Sequence, residues 1–266
     1  MAIQFDRLLS VDSAKAEKAV TYGYLNGIHY MAPASTSGAN LCPNATQGCI
    51  DLCLGKYSGQ AGMVADQENG TNSVRESRIA KARLFMQDRQ TYMRHLERQI
   101  ARLVAKAAKE GLTPCVRLNG STDITFERMA YLGTDGRRMT LLARFPNVQF
   151  VDYTKIASRM AKAPANLSLT FSRAENNETE CLDLLAQGHN VAIVFAHGLP
   201  VSRSWNGYRV VDGDRHDLRH LDPRGVVVGL SPKGRKAKAD VSGFVLRDYS
   251  ACDGAVTHMP TVRQAA

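Results

Sequence analysis

No run of about eighteen apolar residues occurs in the 266-residue chain, which argues against a membrane-spanning helix. The N-terminus, MAIQFDRLLS, has neither the charged start nor the apolar middle of a signal peptide, so a soluble, cytoplasmic protein without a membrane partner is expected. Acidic residues are in short supply: 25 Asp and Glu stand against 34 Lys and Arg, leaving a formal charge of +9 and a pI near 9.4. That imbalance creates a field that concentrates polyanions, and nucleic acid is the commonest polyanion in a cytosol. Cysteine is scarce too, six in all, and a reducing compartment argues against a disulfide framework.

Three of those cysteines are crowded together. The stretch 41–59, LCPNATQGCIDLCLGKYSG, places Cys42, Cys49 and Cys53 in a C-x6-C-x3-C pattern beside Pro43, Gly48 and Gly55. Thiolates are the softest ligands a protein offers, and three on one short loop can converge on a zinc ion or an iron–sulfur cluster. Zinc needs a fourth ligand, for which His29 and Cys252 are the candidates; a cluster held by three cysteines leaves one iron open. The competing reading is three reduced thiols packed as small hydrophobes. Cys115, Cys181 and Cys252 are scattered and expected to be structural.

With 44% hydrophobic residues the chain can fill one large core, and residues 1–266 are expected to form a single domain. Residues 19–31 alternate aromatic and polar side chains, which suits a strand leading into the cysteine loop. From Asn72 to Glu110 apolar residues recur at three- and four-residue steps among many arginines, the pattern of a long basic helix stopped by Gly111 and Pro114. Six short apolar segments follow, at 115–123, 148–155, 167–175, 190–197, 208–214 and 226–233, each ending in polar residues. This recurrence predicts an α/β fold with a parallel sheet, a TIM-barrel-like (β/α) barrel made incomplete or irregular by short connections after the third and fifth segments.

A barrel builds its active site at the C-terminal ends of its strands. There the sequence offers Asp123 and Asp152 as carboxylates able to divide nucleophile, base and base-gripping roles, with Asp212 and Asp214 as competitors. Asn119, Ser121, Tyr153, Lys155, Ser172 and Glu175 are candidates for substrate binding, and His216 and Asp217 make the 212–217 run a possible divalent-ion or acid–base site. Arg75, Arg78, Lys233, Arg235 and Lys236 are the cations expected to grip a nucleic-acid backbone.

The segments LCPNATQGCIDLCLG, VRLNGSTDITFE, QFVDYTK, LSLTFSRAEN, NVAIVF, VVDGDRHDLRHLDPRGVVVGLSPKG and DVSGFV, in this order, resemble a family of phage-encoded proteins over most of residues 24–245. Such proteins are similar to two groups of barrel enzymes. Resemblance to the transglycosylases that exchange guanine for a 7-deazaguanine implies DNA, or RNA, as partner, a 7-deazaguanine base as co-substrate, and one strand-end aspartate attacking the sugar. The target nucleotide would be flipped out of the duplex. Transglycosylase zinc cysteines lie late in the chain, whereas these lie early. Resemblance to radical-SAM-like phage proteins implies a cluster on the early loop, although their usual spacing is C-x3-C-x2-C. The resemblance to phage-encoded proteins implies the host cytoplasm as its location. The leading expectation is therefore a DNA-guanine transglycosylase; the alternatives are a radical-SAM-like enzyme and a non-catalytic, metal-stabilised DNA-binding protein.

Overall fold

A computed structural model describes residues 7–12 and 14–249. Cys252 lies outside the described residues. In chain order the strands are β1 (Leu9–Ser10), β2 (Tyr24–His29), β3 (Thr113–Arg117), β4 (Tyr131–Leu132), β5 (Arg138–Met139), β6 (Gln149–Thr154), β7 (Leu167–Ser172), β8 (Asn190–Val194), β9 (Ser204–Trp205), β10 (Tyr208–Asp212) and β11 (Val227–Leu230). The helices are α1 (Ala14–Val20), α2 (Gln47–Asp51), α3 (Leu54–Tyr57), α4 (Ser73–Gln87), α5 (Arg89–Glu110), α6 (Leu141–Arg144), α7 (Glu178–Ala186) and α8 (Gly234–Lys238). No helix among the described residues is long and apolar enough to cross a membrane.

Nine strands form one sheet in the order β1-β2-β3-β6-β7-β8-β11-β10-β9. The pairs from β2 through β10 are all parallel, and only the short edge strands β1 and β9 pair antiparallel. The sequence pattern thus placed the parallel segments correctly, and β2 does lead into the cysteine loop. The barrel is not found: among the described residues the sheet ends in two edges, β1 and β9. β11 also inserts between β8 and β10, reversing the last two strands. The link from β10 to β11 contains only a 3-10 turn, Arg219–Leu221, instead of a crossover helix.

Side chains alternate between the two faces of each strand. Leu25, Val116, Phe150, Leu169, Phe171, Val191 and Ile193 share the main core with Tyr92, Met93, Leu96, Ile100 and Leu103 of α5. On the other face Cys115 and Val151 pack with Ala19, Leu218 and Tyr24. Segment 213–226 lies across that second face, where Arg117 meets Asp217 at 3.3 Å and Arg219 meets Asp222 at 3.2 Å.

The long basic helix is two helices. Asn72 caps α4 through the Arg75 amide, and the chain leaves helical geometry at Asp88 (φ −139°, ψ 72°), whose carboxylate accepts from the Thr91 amide to start α5. Asp favours such a cap because its oxygen satisfies an amide left open at a helix start. α5 ends on Gly111 at φ 68°, a left-handed position that glycine tolerates. Glu97, the one buried acid of α5, accepts from Tyr131 Oη (2.9 Å) and Thr134 Oγ1 (2.8 Å) and lies 3.7 Å from Arg144, pinning the β4–β5 hairpin to the helix. Removing it would leave Arg144 buried without that partner. Glu97→Ala is expected to lower unfolding stability by about 3 kcal/mol in urea titration, and a loss below about 1 kcal/mol would show that the hairpin is held otherwise.

Candidate functional site

The cysteine loop lies over the C-terminal ends of the parallel strands because four strand-end segments bind it. Past β2, the Ala34 amide donates to Cys42 Sγ (3.3 Å) and the Leu41 amide donates to the Ala34 carbonyl (3.1 Å). Past β3, Cys42 Sγ donates to the Ser121 carbonyl (3.8 Å) and the Asp123 amide donates to the Leu41 carbonyl (2.9 Å). Past β6, the Lys155 carbonyl accepts from Asn44 Nδ2 (3.1 Å). Past β7, Glu175 accepts from the Gly48 amide (2.9 Å) and from Thr46 Oγ1 (2.8 Å). Thr46 is also the N-cap of α2, taking the Cys49 amide at 3.2 Å.

Two glycines make this docking possible. A Cβ at Gly48 would stand 2.8 Å from Ser242 Oγ and 2.9 Å from Glu175 Oε2; one at Gly55 would stand 2.6 Å from Ser121 Cβ. The loop therefore sits with its backbone against the strand ends, a closeness that side chains would prevent.

Cys42, Cys49 and Cys53 are all half-buried and near enough for their charges to interact. Burial pushes the Cys42 thiol up to about 12, with the Cys53, Cys49 and Asp123 charges adding to the rise. Burial pushes Cys53 up to about 11, and Cys49 adds to it, while the Gly55 and Lys56 amides and the Lys155 ammonium pull the other way. Arg78 lies in the field of Cys53, stacks 4.7 Å over the Tyr30 ring and donates to the Gly55 carbonyl (2.5 Å). A cavity of about 190 Å³ opens beside the loop, lined by Pro33, Thr36, Gly55, Lys56, Thr71 and Arg78 among others.

The fit to a metal divides. The donor chemistry is right for a soft ion or cluster: three thiols in one neighbourhood with cations beside them. As placed, however, no group of three or more His, Cys, Asp and Glu side chains among the described residues is arranged so that it could hold a metal ion. His29 is no fourth ligand: it is 1% exposed, its ring nitrogens meet the Leu118 carbonyl (2.8 Å) and Tyr92 Oη (2.6 Å), and burial pushes it down to about 4. Cys115 and Cys181 are fully buried, as expected of structural thiols.

Most of the polar residues expected to do chemistry are engaged in holding the strand ends together. Asp123 accepts from Arg159 Nη1 (2.6 Å) and from the Lys155 amide (2.8 Å). Asp152 shares its strand face with Phe150 in the main core, is 2% exposed, and accepts from the Asn119 amide (2.8 Å) and Nδ2 (2.9 Å). Asn119 in turn takes Thr122 Oγ1 and the Ile124 amide, each at 2.8 Å, so its amide group folds its own loop. Ser121 Oγ donates to the Met31 carbonyl (2.6 Å), and Tyr153 lies 4.7 Å under the Arg117 guanidinium. Lys155 Nζ reaches the Phe244 ring (5.2 Å) and is the expected substrate-site residue best placed beside the thiols. Ser172 is half-buried at the end of β7.

Asp212 and Asp214 stand at the end of β10, four places along the sheet from β6, so the four acids are not gathered in one cleft. Asp212 accepts from the Asp214 amide (2.9 Å), and Asp214 pairs with Lys233 (3.0 Å) and accepts from the Ser231 amide (3.0 Å). In the same run Asp217 faces Arg117, and His216 is pushed down to about 4 by burial and by Arg219 and Arg215.

The expected backbone-gripping cations are largely committed as well. Arg75 is buried and donates to the carbonyls of Ala61, Gly70, Lys56 and Gln67. Lys236 pairs with Glu68 and lies 3.9 Å over the Tyr57 ring. Among the described residues, Arg235 alone of the five is exposed with no such commitment. Arg159, 1% exposed and bound to both Glu127 oxygens as well as Asp123, is the hub that the sequence did not reveal. Its segment, IASRMAKAP, carries no motif.

Together these observations define a mixed α/β protein with a thiol-bearing loop bound to the C-terminal edge of a parallel sheet. The chain belongs to the Gene product 88 family of phage proteins, whose family model matches residues 7–248. No curated protein and no solved structure matches it.

Two outcomes follow from this geometry. Glu175→Ala should release the Gly48 and Thr46 contacts and speed alkylation of Cys49 by iodoacetamide several-fold without unfolding the sheet; an unchanged rate would mean that Glu175 does not hold the loop. Burial pushes the Asp152 carboxyl up to about 6 from an ordinary 3.8, despite Arg159, Arg117 and Asn119. Because the folded value lies above the unfolded one, this carboxyl contributes stability below about pH 4 that is lost as pH rises through about 6. Carbon-13 NMR of the carboxyl should show its titration near 6, and a midpoint below 4 would contradict its burial.

Proposed function

We propose that the chain is a phage nucleic-acid-modifying enzyme whose reaction centre is the loop of Cys42, Cys49 and Cys53, an iron–sulfur, radical-SAM-like enzyme in preference to a guanine transglycosylase. The observation that carries this reading is the loop itself, which brings Cys42, Cys49 and Cys53 together on one short segment and is bound by hydrogen bonds over the C-terminal ends of the parallel strands. That edge is where α/β sheets place their ligands. A closed structural zinc site takes four protein ligands; of the two candidates for the fourth, His29 faces away from the loop and Cys252 lies outside the described residues. Three thiolates around a cluster would leave one iron available to an external ligand, and this is the chemistry such a group would supply.

The chain's own residues have definable work there. Lys155 and Arg78 bring positive charge to thiolates that burial disfavours. Glu175, Thr46 and Asn44 hold the loop against the sheet, which fixes the segment that carries the three cysteines at the strand ends. Tyr30 and Phe244 supply flat apolar surface near the cations, suited to a planar base.

A transglycosylase needs a free carboxylate to attack the sugar. Asp123 is bound at both oxygens, and Asp152 is buried on the core side of β6. Neither is poised for that role, and Asp212 and Asp214 stand at the end of β10, four places along the sheet from β6.

Anaerobic reconstitution with iron and sulfide should give a brown protein with visible absorption that is lost in the Cys42→Ser, Cys49→Ser and Cys53→Ser variants. A colourless protein carrying stoichiometric zinc, or colour retained in all three variants, would refute the assignment.

A further inference from the structure

The cations expected to hold nucleic acid are mostly engaged within the fold, which leaves the source of the chain's outward positive field to be found elsewhere. It is on α5. Arg94, Arg98, Arg102 and Lys106 follow one another at four-residue steps, forming a single ridge along the side of the helix away from the core residues Leu96, Ile100 and Leu103. Three steps of four residues rise about 18 Å along the axis. Arg98 and Arg102 are exposed, and among the described residues neither makes an ion pair; Arg94 only donates to the Leu132 carbonyl (2.8 Å).

No acid alternates with these cations. Glu97 is buried under Tyr131 and Thr134, and Glu110, 3.8 Å from Lys106, stands at the very end of the helix. Like charges four residues apart oppose the helix that carries them, whereas alternating signs would have made an equally soluble face. The positive field is felt locally: Arg98 helps push the neighbouring His95 below its ordinary range, after burial. Arg138, exposed on the β4–β5 hairpin that Gln90 and Arg94 bind through Leu132, adds a further cation beside the start of the ridge.

The occupant that matches is a nucleic-acid backbone, and the surface chooses a duplex. Exposed positions among the cations are Ala101, Ala105 and Ala108, and α5 exposes no aromatic ring. Small side chains allow close approach to phosphates, while single-strand binding depends on exposed rings on which bases stack. We propose that the α5 ridge is a sequence-independent binding surface for the phosphate backbone of duplex DNA, separate from the thiol loop. The proposal does not rest on the reading of that loop.

The test is the salt dependence of binding to a fluorescein-labelled 30-base-pair duplex of mixed sequence, measured by anisotropy. Each phosphate neutralised contributes a slope of about −0.9 in log K against log salt. The variant carrying Arg94→Gln, Arg98→Gln, Arg102→Gln and Lys106→Gln should bind at least about tenfold more weakly at low salt, with a slope shallower by roughly three. Its circular dichroism should match the wild type. Lys233→Gln with Lys236→Gln should leave the slope within about one, and Cys42→Ser should leave it unchanged, which separates this proposal from failure of the thiol assignment. Equal binding and slope in the α5 variant would overturn the proposal. Tighter binding of a single strand or an RNA hairpin than of the duplex would overturn the choice of partner.

Discussion

Everything at the strand ends depends on one carboxylate capturing a loop that has little core of its own. Glu175, just past β7, accepts from the Gly48 amide and the Thr46 hydroxyl, while Thr46 caps the short helix that carries Cys49. A helix as short as α2 is marginal by itself, because nucleation fixes several residues for each hydrogen bond gained. Its N-terminus is stable here because an acid and a hydroxyl satisfy open amides, and an acid is favoured there by the helix dipole. Ser121, Asp123 and Lys155 complete the attachment from the neighbouring strand ends.

The sheet was legible in the sequence because parallel strands buried on both faces read as short apolar runs. NVAIV and VVGL in β8 and β11 are of this kind. Closure into a barrel was not legible, since it depends on pairing between the first and last strands and on twist accumulated across the sheet. The break of the basic helix at Asp88 was hidden because the apolar steps of α4 and α5 continue through it, while a local cap decides the geometry. At the site, the thiol loop and its place after β2 could be read directly.

The roles of the carboxylates could not be read, for a specific reason. A strand buried on both faces gives no sign of which parity meets the helices, so Asp152 could not be assigned to the core side with Phe150 until α5 was in place. Asp123 is answered by Arg159, 36 residues away, whose pairing no local pattern announces. The cations followed the same logic. Arg75 looked suited to phosphate but satisfies four carbonyls of the 56–70 segment, a task for which a planar five-donor group is well shaped.

Engaged charges and unengaged ones thus occupy different regions. Buried pairs such as Arg159 with Glu127 and Arg117 with Asp217 brace the sheet, and removing one member of such a pair strands the other. The thiols and Lys155 remain at the strand ends, and the arginine ridge remains on α5. The most direct measurement of the central claim is anomalous diffraction at the iron edge from anaerobically reconstituted crystals. The account predicts one strong peak bounded by the sulfur atoms of Cys42, Cys49 and Cys53. No iron peak there, with the three sulfur atoms turned apart, would contradict it.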